Sequence, residues 1–222
     1  MKVKSLNFRA GGKCDLFHYG ILNDYSDRIN LTLESGYLYG VIGEFGEGGA
    51  AISYGLSGHL PSYEGSVWVN DSEVKREELR SLAWYVGYDI FSPKESRRLY
   101  MHSIEKQVKE GIAKAGQPFS VKEVQDMFKI SDERFSRNIK YVSGERYKAS
   151  AAIGYAFDKQ IFCFPWMNSR DLFHQKEHIT NIVSVLLKAN KIVLMPTSKK
   201  ETLAALFDDF DIVDLDEGFK DR

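Results

Sequence analysis

The sequence predicts an α/β fold in which helices cover a parallel sheet, and two observations predict it. After residue 145, helical patterns alternate with short apolar runs. The order is a helix near Arg146 to Phe157, a strand Ile161 to Phe164, a helix carrying Ile179, Ile182, Val183 and Leu186, a strand Ile192 to Met195, a helix near Lys200 to Phe207 and a strand near Ile212. Such alternation is what parallel strands joined by helical crossovers produce. The second observation lies earlier, where Tyr37-Leu38-Tyr39-Gly40-Val41-Ile42 is nearly all apolar, as in a strand buried on both faces. That run leads through the glycine-rich loop GEFGEGGAA, Gly43 to Ala51, into a helical segment from Ala50 to Leu56.

The remaining elements follow in order. Ile29, Leu31 and Leu33 alternate with Asn30 and Thr32, the period of a half-buried strand, and Glu34-Ser35-Gly36 turns the chain. Pro61 and Gly65 close the segment after the loop, before a short strand Ser66 to Val69 that ends at Asn70-Asp71. From about Ser92 to Asn138 the chain becomes charged and helical, with Tyr100, Ile104, Val108 and Ile112 on one helix face and Gly116 and Pro118 as its stop. Ser120 and Glu123 stand at capping-box spacing. Ser131, followed by Asp132 and Glu133, reads as a second N-cap with an acidic first turn. These segments predict a small helical lobe. No internal repeat or low-complexity linker is present.

A chain of 222 residues fits one large domain with an inserted lobe, against a prior of roughly 100 to 200 residues per domain. With 27% charged, 43% hydrophobic and 13% aromatic residues it is neither disordered, collagenous nor a membrane protein. Thirty basic residues against 31 acidic ones leave a net charge of -1 and no broad positive field, which argues against nucleic acid as a partner. Cys14 and Cys163 form no CxxC pair, so neither a disulfide framework nor a cysteine metal site is expected, and a reducing cytoplasm fits. The polar N-terminal residues lack a secretory signal, and no run of 18 apolar residues occurs, so a membrane role is expected only through a partner.

The loop keeps the two spaced glycines of GxxxxGK[ST], Gly43 and Gly48, a pattern whose amides cradle phosphates and whose lysine neutralises them. Gly49 takes the lysine position and Ala50 that of the metal-binding hydroxyl. Glu44 and Glu47 add negative charge where a triphosphate would lie, and each unit pair at about 4 Å interacts by roughly 1 to 4 kcal/mol. Taken alone, the loop reads more simply as a glycine turn between a strand and a helix.

Several segments together resemble the nucleotide-binding subunit of ABC transporters over nearly the whole length. GYLYGVIGEFGEGGAAI resembles the strand and Walker A loop, with Gly43, Glu44, Phe45, Gly46, Glu47, Gly48, Gly49, Ala50 and Ala51 as the nucleotide-binding positions. LSGHLPSYEGSVWVNDSEV resembles the segment after it, and LRSLAWYVGYD the strand leading to the Q-loop, with Tyr88 at the glutamine position. YVSGERYKASAAIGYAF resembles the signature motif, Val142, Ser143, Gly144 and Glu145, in a form close to that of polysaccharide and teichoic-acid exporters. IFCFPWMN stands at the Walker B strand and VLMPTSKK at the switch-histidine strand.

The resemblance implies a P-loop NTPase (RecA-like) core of ABC ATPase type with an antiparallel β layer, a single domain over 1–222, and a helical subdomain inserted at 89–141. It also shows which chemical groups are gone. Pro165 replaces the metal-binding aspartate of Walker B and Trp166 the glutamate that polarises water. Ser198, or Thr197 one register earlier, replaces the switch histidine. Phosphoryl transfer depends on positioning, metal and charge neutralisation, so the expectation is a degenerate, non-hydrolytic subunit with weak ATP binding and no magnesium. Its implied partners are a membrane permease and a second ATPase subunit, as a heterodimer with an active chain or as a homodimer, at the cytoplasmic face of a membrane. Two rival readings are a scaffold outside transport and an ATPase in which Lys148 or Lys199 supplies the missing cation.

Other residues carry less. His174 and His178 stand at i, i+4, but Gln175 occupies the acid position of HExxH. Ser143 lacks the flanking glycine of GxSxG, because residue 141 is Tyr, and reads as a helix start. The acidic stretch Asp208 to Glu217 reads as a solvated edge.

Overall fold

The computed structural model describes residues 1–16, 20–87 and 101–215. An antiparallel layer is built from β1 (Lys2–Leu16), β2 (Gly20–Tyr25) and β3 (Ile29–Glu34). Then come β4 (Leu38–Ile42), the glycine loop and α1 (Gly49–Leu56). β5 (Tyr63–Val69) and β6 (Ser72–Glu73) return to the antiparallel layer, and α2 (Arg76–Leu82) leads to β7 (Ala83–Tyr85). A helical stretch follows: α3 (Ile104–Ala115), α4 (Val121–Met127), α5 (Asp132–Phe135) and, after two short 3-10 turns, α6 (Arg146–Ala156). The chain closes with β8 (Ile161–Cys163), α7 (Ser169–His174), α8 (Lys176–Lys188), β9 (Ile192–Thr197), α9 (Lys200–Ala204) and β10 (Asp211–Asp214).

The second sheet is parallel throughout, in the order β10-β4-β9-β8-β7. Its two faces serve two cores. Phe162 of β8 and Val193 and Met195 of β9 face α6, α8 and the helices α3 to α5, whereas Ile161, Cys163, Ile192 and Leu194 face α1 and the antiparallel layer. Both faces are dry, which is why these strands lack polar alternation. The antiparallel layer, by contrast, is half-solvated, and β3 alternates as expected, with Leu31 and Leu33 buried and Asn30 and Thr32 exposed. Of the acidic C-terminal stretch, Asp211–Asp214 is the edge strand β10, paired with β4, so part of the expected solvated edge belongs to the sheet.

The helical stretch follows its sequence signals with one change. Ser103 caps α3, Gly116 ends it at φ 63, and Ser120 and Glu123 form the expected capping box on α4. Ile104 and Val108 are fully buried, while Tyr100 lies outside the described residues. Ser131 stands at the N-cap of α5 but makes no cap bond; its amide and hydroxyl both donate to Glu145 Oε2, at 3.2 and 3.3 Å. Among the described residues no helix is long and apolar enough to cross a membrane.

Candidate functional site

The glycine loop lies where β4 hands over to α1, at the carboxyl ends of the parallel strands, the edge at which open α/β sheets bind ligands. Gly43 is tied to β9, its amide donating to the Thr197 carbonyl at 3.1 Å. Glu47 folds back and accepts from the Glu44 amide, so its carboxylate is spent on the loop itself. α1 is buried along its whole length, from Gly49 to Leu56.

Asp24 occupies the heart of the loop. Its Oδ1 accepts from the amides of Gly46 at 2.9 Å and Gly48 at 3.1 Å, and its Oδ2 accepts from Ala51 at 2.8 Å. The side chain is 1% exposed. It is delivered by the end of β2, where Gly12 pairs with Asp24 and Gly11 with Tyr25, and the next residue locks the hairpin. Ser26 donates its amide to the Ala10 carbonyl at 2.8 Å, and its hydroxyl accepts from the Ala10 amide at 2.8 Å. Gly48, at φ 99, lies so close to this segment that a Cβ there would sit 2.2 Å from the Ser26 Cα. The loop amides that the sequence offered to phosphate are thus turned onto an internal carboxylate. Sequence reasoning missed Asp24, because the contacts span 22 to 27 residues and depend on the register of a hairpin that no local pattern announces.

The Walker B positions close the other side. Pro165 is buried just beyond β8, and Trp166, 6% exposed, donates its indole Nε1 to the Gly43 carbonyl at 3.0 Å. Its ring meets Phe45 edge-on with centroids 5.9 Å apart. A Cβ at Gly49 would meet Pro196 at 3.2 Å and Trp166 at 3.4 Å, so apolar groups stand over the position a lysine would take. Ser53 of α1 donates to the Phe164 carbonyl, and the Cys163 thiol beneath is pushed up to about 12 by burial.

The switch strand ends in a clasp. Thr197 is fully buried and donates its hydroxyl to the Met167 carbonyl at 2.8 Å, whereas Ser198 is half-buried beyond the strand. Tyr88, at the Q-loop position, lies outside the described residues. The amides already hold a carboxylate, Pro165 and Trp166 offer no metal-binding oxygen from their side chains, and no cluster of three or more His, Cys, Asp or Glu among the described residues could hold a metal ion.

The signature segment leads into α6. Val142 is buried, Ser143 to Glu145 make a 3-10 turn, and α6 begins at Arg146. Glu145 turns inward, bonded to Ser131 and paired with Arg134 at 3.3 Å. Ser143 is exposed, and a Cβ at Gly144 would touch nothing within 4 Å. Lys148 donates to the Lys129 carbonyl at 3.0 Å, and burial lowers its pKa, so its ammonium is committed to the α4–α6 contact. Lys199, before α9, is exposed. His174 ends α7 whereas His178 belongs to α8, so the break at Gln175 separates two residues that the spacing could have put on one helix. Burial, followed by the charge of Lys148, holds the His178 pKa below its ordinary value.

No protein-family model matches the sequence. A methionine import ATP-binding protein of Clostridioides difficile is 23% identical over 192 residues, covering 84% of this chain and 60% of that protein. An energy-coupling factor transporter ATP-binding protein of Staphylococcus epidermidis is 26% identical over 194 residues, covering 82% and 66%. The chain spans less than two thirds of the length of these curated relatives. Among solved structures, the dimeric form of a bacterial ABC transporter cassette superposes with a TM-score of 0.63 at 16% identity, covering 96% of this chain and 94% of that one. An ATP-binding subunit of an ABC transporter gives 0.64 at 12% identity, covering 96% and 86%. The chain therefore has the ABC ATPase cassette fold and is related in sequence to ATP-binding subunits of ABC transporters.

Proposed function

We propose that this chain is a non-hydrolytic nucleotide-binding-domain subunit of an ABC transporter complex, seated on a membrane permease at the cytoplasmic face and paired with a hydrolytically active subunit. The observation that carries this reading is the seat of Trp166: where the metal ligand and the water-polarising acid of the family belong, an indole is bonded to the Gly43 carbonyl and packed on Phe45. A buried indole can neither bind a metal nor accept a proton, and a water-activating base must reach the proton it takes. Lys148 does not rescue the site, because its ammonium is held by the Lys129 carbonyl.

In this family each nucleotide is held between the loop of one subunit and the signature helix of the other, so a closed loop here leaves the composite site on the partner's loop intact. Exposed Ser143 and half-buried Gly144, where a Cβ would meet nothing within 4 Å, are the surface this chain would offer, and the residues from 89 to 141 are the proposed inserted lobe that meets the permease. For the cargo, the wording Tyr141-Val142-Ser143-Gly144 is the one support for glycans or glycolipids.

The test is ATP turnover by the purified chain alone and in complex with its co-purified ATPase partner. The chain alone is expected to show none above background with magnesium. The complex is expected to hydrolyse ATP and to lose that activity with Gly144→Asp, which sets a carboxylate against the partner's phosphate. Equal turnover with and without the substitution would leave only scaffolding. Turnover by the chain alone that is lost in Lys199→Ala would overturn the reading in favour of an active enzyme.

A further inference from the structure

We propose that Asp24 is the resident anion of the glycine loop: its carboxylate occupies the amide cradle in place of a phosphate, excludes phosphate ligands from this chain's own site, and latches the β1–β2 hairpin to the core. Backbone amides converging on one point form an anion site whatever the anion is. Here Gly46, Gly48 and Ala51 converge on one carboxylate, all three within 3.1 Å. Two features show that the arrangement is built in. The carboxylate is 1% exposed, although a buried charge is costly unless it is fully bonded. The loop also approaches the hairpin so closely at Gly48 that only a residue without a side chain fits against Ser26.

The latch is anchored at both ends. Ser26 is clamped to Ala10 through three hydrogen bonds, and Gly43 is tied to Thr197. A phosphate oxyanion entering the cradle would have to displace a carboxylate that is already at bonding distance and carries the same sign of charge. The exclusion stands on the loop geometry alone and is independent of the transporter reading, so either can fail without the other.

The probe is inorganic pyrophosphate, without metal, titrated against the full chain. Amide shifts of Gly46, Gly48 and Ala51 in nitrogen-15 spectra report the cradle, and calorimetry reports affinity. The wild type is expected to show no shift at these amides. Asp24→Gly is expected to bind at least about tenfold more tightly, with shifts at all three. It should also melt at a lower temperature than the wild type and recover part of the difference when pyrophosphate is added. If Asp24→Gly does not fold, Asp24→Ala, which also empties the cradle but keeps an ordinary strand residue, takes its place, with the same gain in affinity expected. In the wild type, slow hydrogen exchange at the Ala51 amide is the accompanying expectation. Pyrophosphate shifts at the three amides of the wild type, no gain in either variant, or exchange at Ala51 as fast as in exposed loops would each overturn the proposal.

Discussion

The glycine loop and the turn before α6 both stand where the resemblance puts nucleotide-binding segments, and the structure treats them differently. At the loop the amides of Gly46, Gly48 and Ala51 are taken from within by Asp24, Glu47 accepts from the Glu44 amide, and Trp166 with Phe45 covers the far wall, while Glu44, Gly46 and Glu47 stay exposed at the rim. At the signature turn Glu145 is drawn into the α5 contact, but Ser143 is exposed and Gly144 faces open space. The loop amides are thus filled from within, whereas Ser143 of the turn stays exposed. A site that is merely abandoned leaves buried polar groups unpaired, at roughly 1 to 3 kcal/mol each, so refilling is what stability demands. An exposed turn is under no such demand.

The contrast is sharpest at Trp166. Replacing it by Ala removes a buried indole and leaves the Gly43 carbonyl without its donor. The expected loss is about 3 to 5 kcal/mol in denaturant unfolding. Trp166→Phe keeps most of the packing and is expected to lose about 1 kcal/mol, the worth of the hydrogen bond. A loss from Trp166→Ala below that of Trp166→Phe would mean the far wall is open after all, and the two regions would then be alike.

Gly48→Ala comes next. At φ 99 an alanine is strained by roughly 1 to 3 kcal/mol, before its Cβ meets the Ser26 backbone at 2.2 Å. The variant is expected to unfold at least that much more easily, and to expose the Ala51 amide to exchange as the hairpin lifts away. Unchanged stability would place the loop away from β2 and break the comparison at its root.

The buried thiols give a probe by pH. Burial raises Cys163 from 9.0 to about 12, and burial followed by the charge of Asp24 raises Cys14 likewise to about 12. A folded-state pKa above the unfolded one means that the stabilisation is intact below about pH 9 and is lost as pH climbs from 9 towards 12, because the unfolded chain gives up those protons first. Denaturation midpoints should therefore fall over that window, and less steeply in Cys14→Val with Cys163→Val. Tyr39 and Tyr155, raised chiefly by burial, keep part of the slope. Rapid alkylation of both thiols in the native state at neutral pH would show that the closed side opens readily.

Much of this was legible in the residues, and the parts that were not share a cause. The nearly apolar run Tyr37 to Ile42 announced a strand covered on both faces, Ile192 to Met195 announced a strand, and the Ser120 and Glu123 pair announced its helix start, because those signals are local. The resemblance likewise put Gly49 at the lysine position and Pro165 and Trp166 at those of the acids. What fills the space around the loop was not legible. Asp24 reaches the loop through the hairpin of β1 and β2, and Ser131 gave up its cap for Glu145, 14 residues on, so each depends on which chain segments meet in space. Spacing can show that a group is missing, but a replacement drawn from elsewhere in the chain follows no spacing rule.

The smallest expected effect is also the one that tests the open side directly. Gly144→Ala adds a Cβ that meets no atom within 4 Å, at a residue whose φ does not require glycine. Folding stability should change by less than about 0.5 kcal/mol, the usual range for a surface substitution, and alanine in the turn leading into α6 should leave the helix content unchanged. Measured beside Gly48→Ala, the same chemical change then gives opposite results at two of the glycines that the resemblance aligns. A Gly144→Ala loss as large as that of Gly48→Ala would mean the turn is packed as tightly as the loop, and no free surface would remain there for a partner.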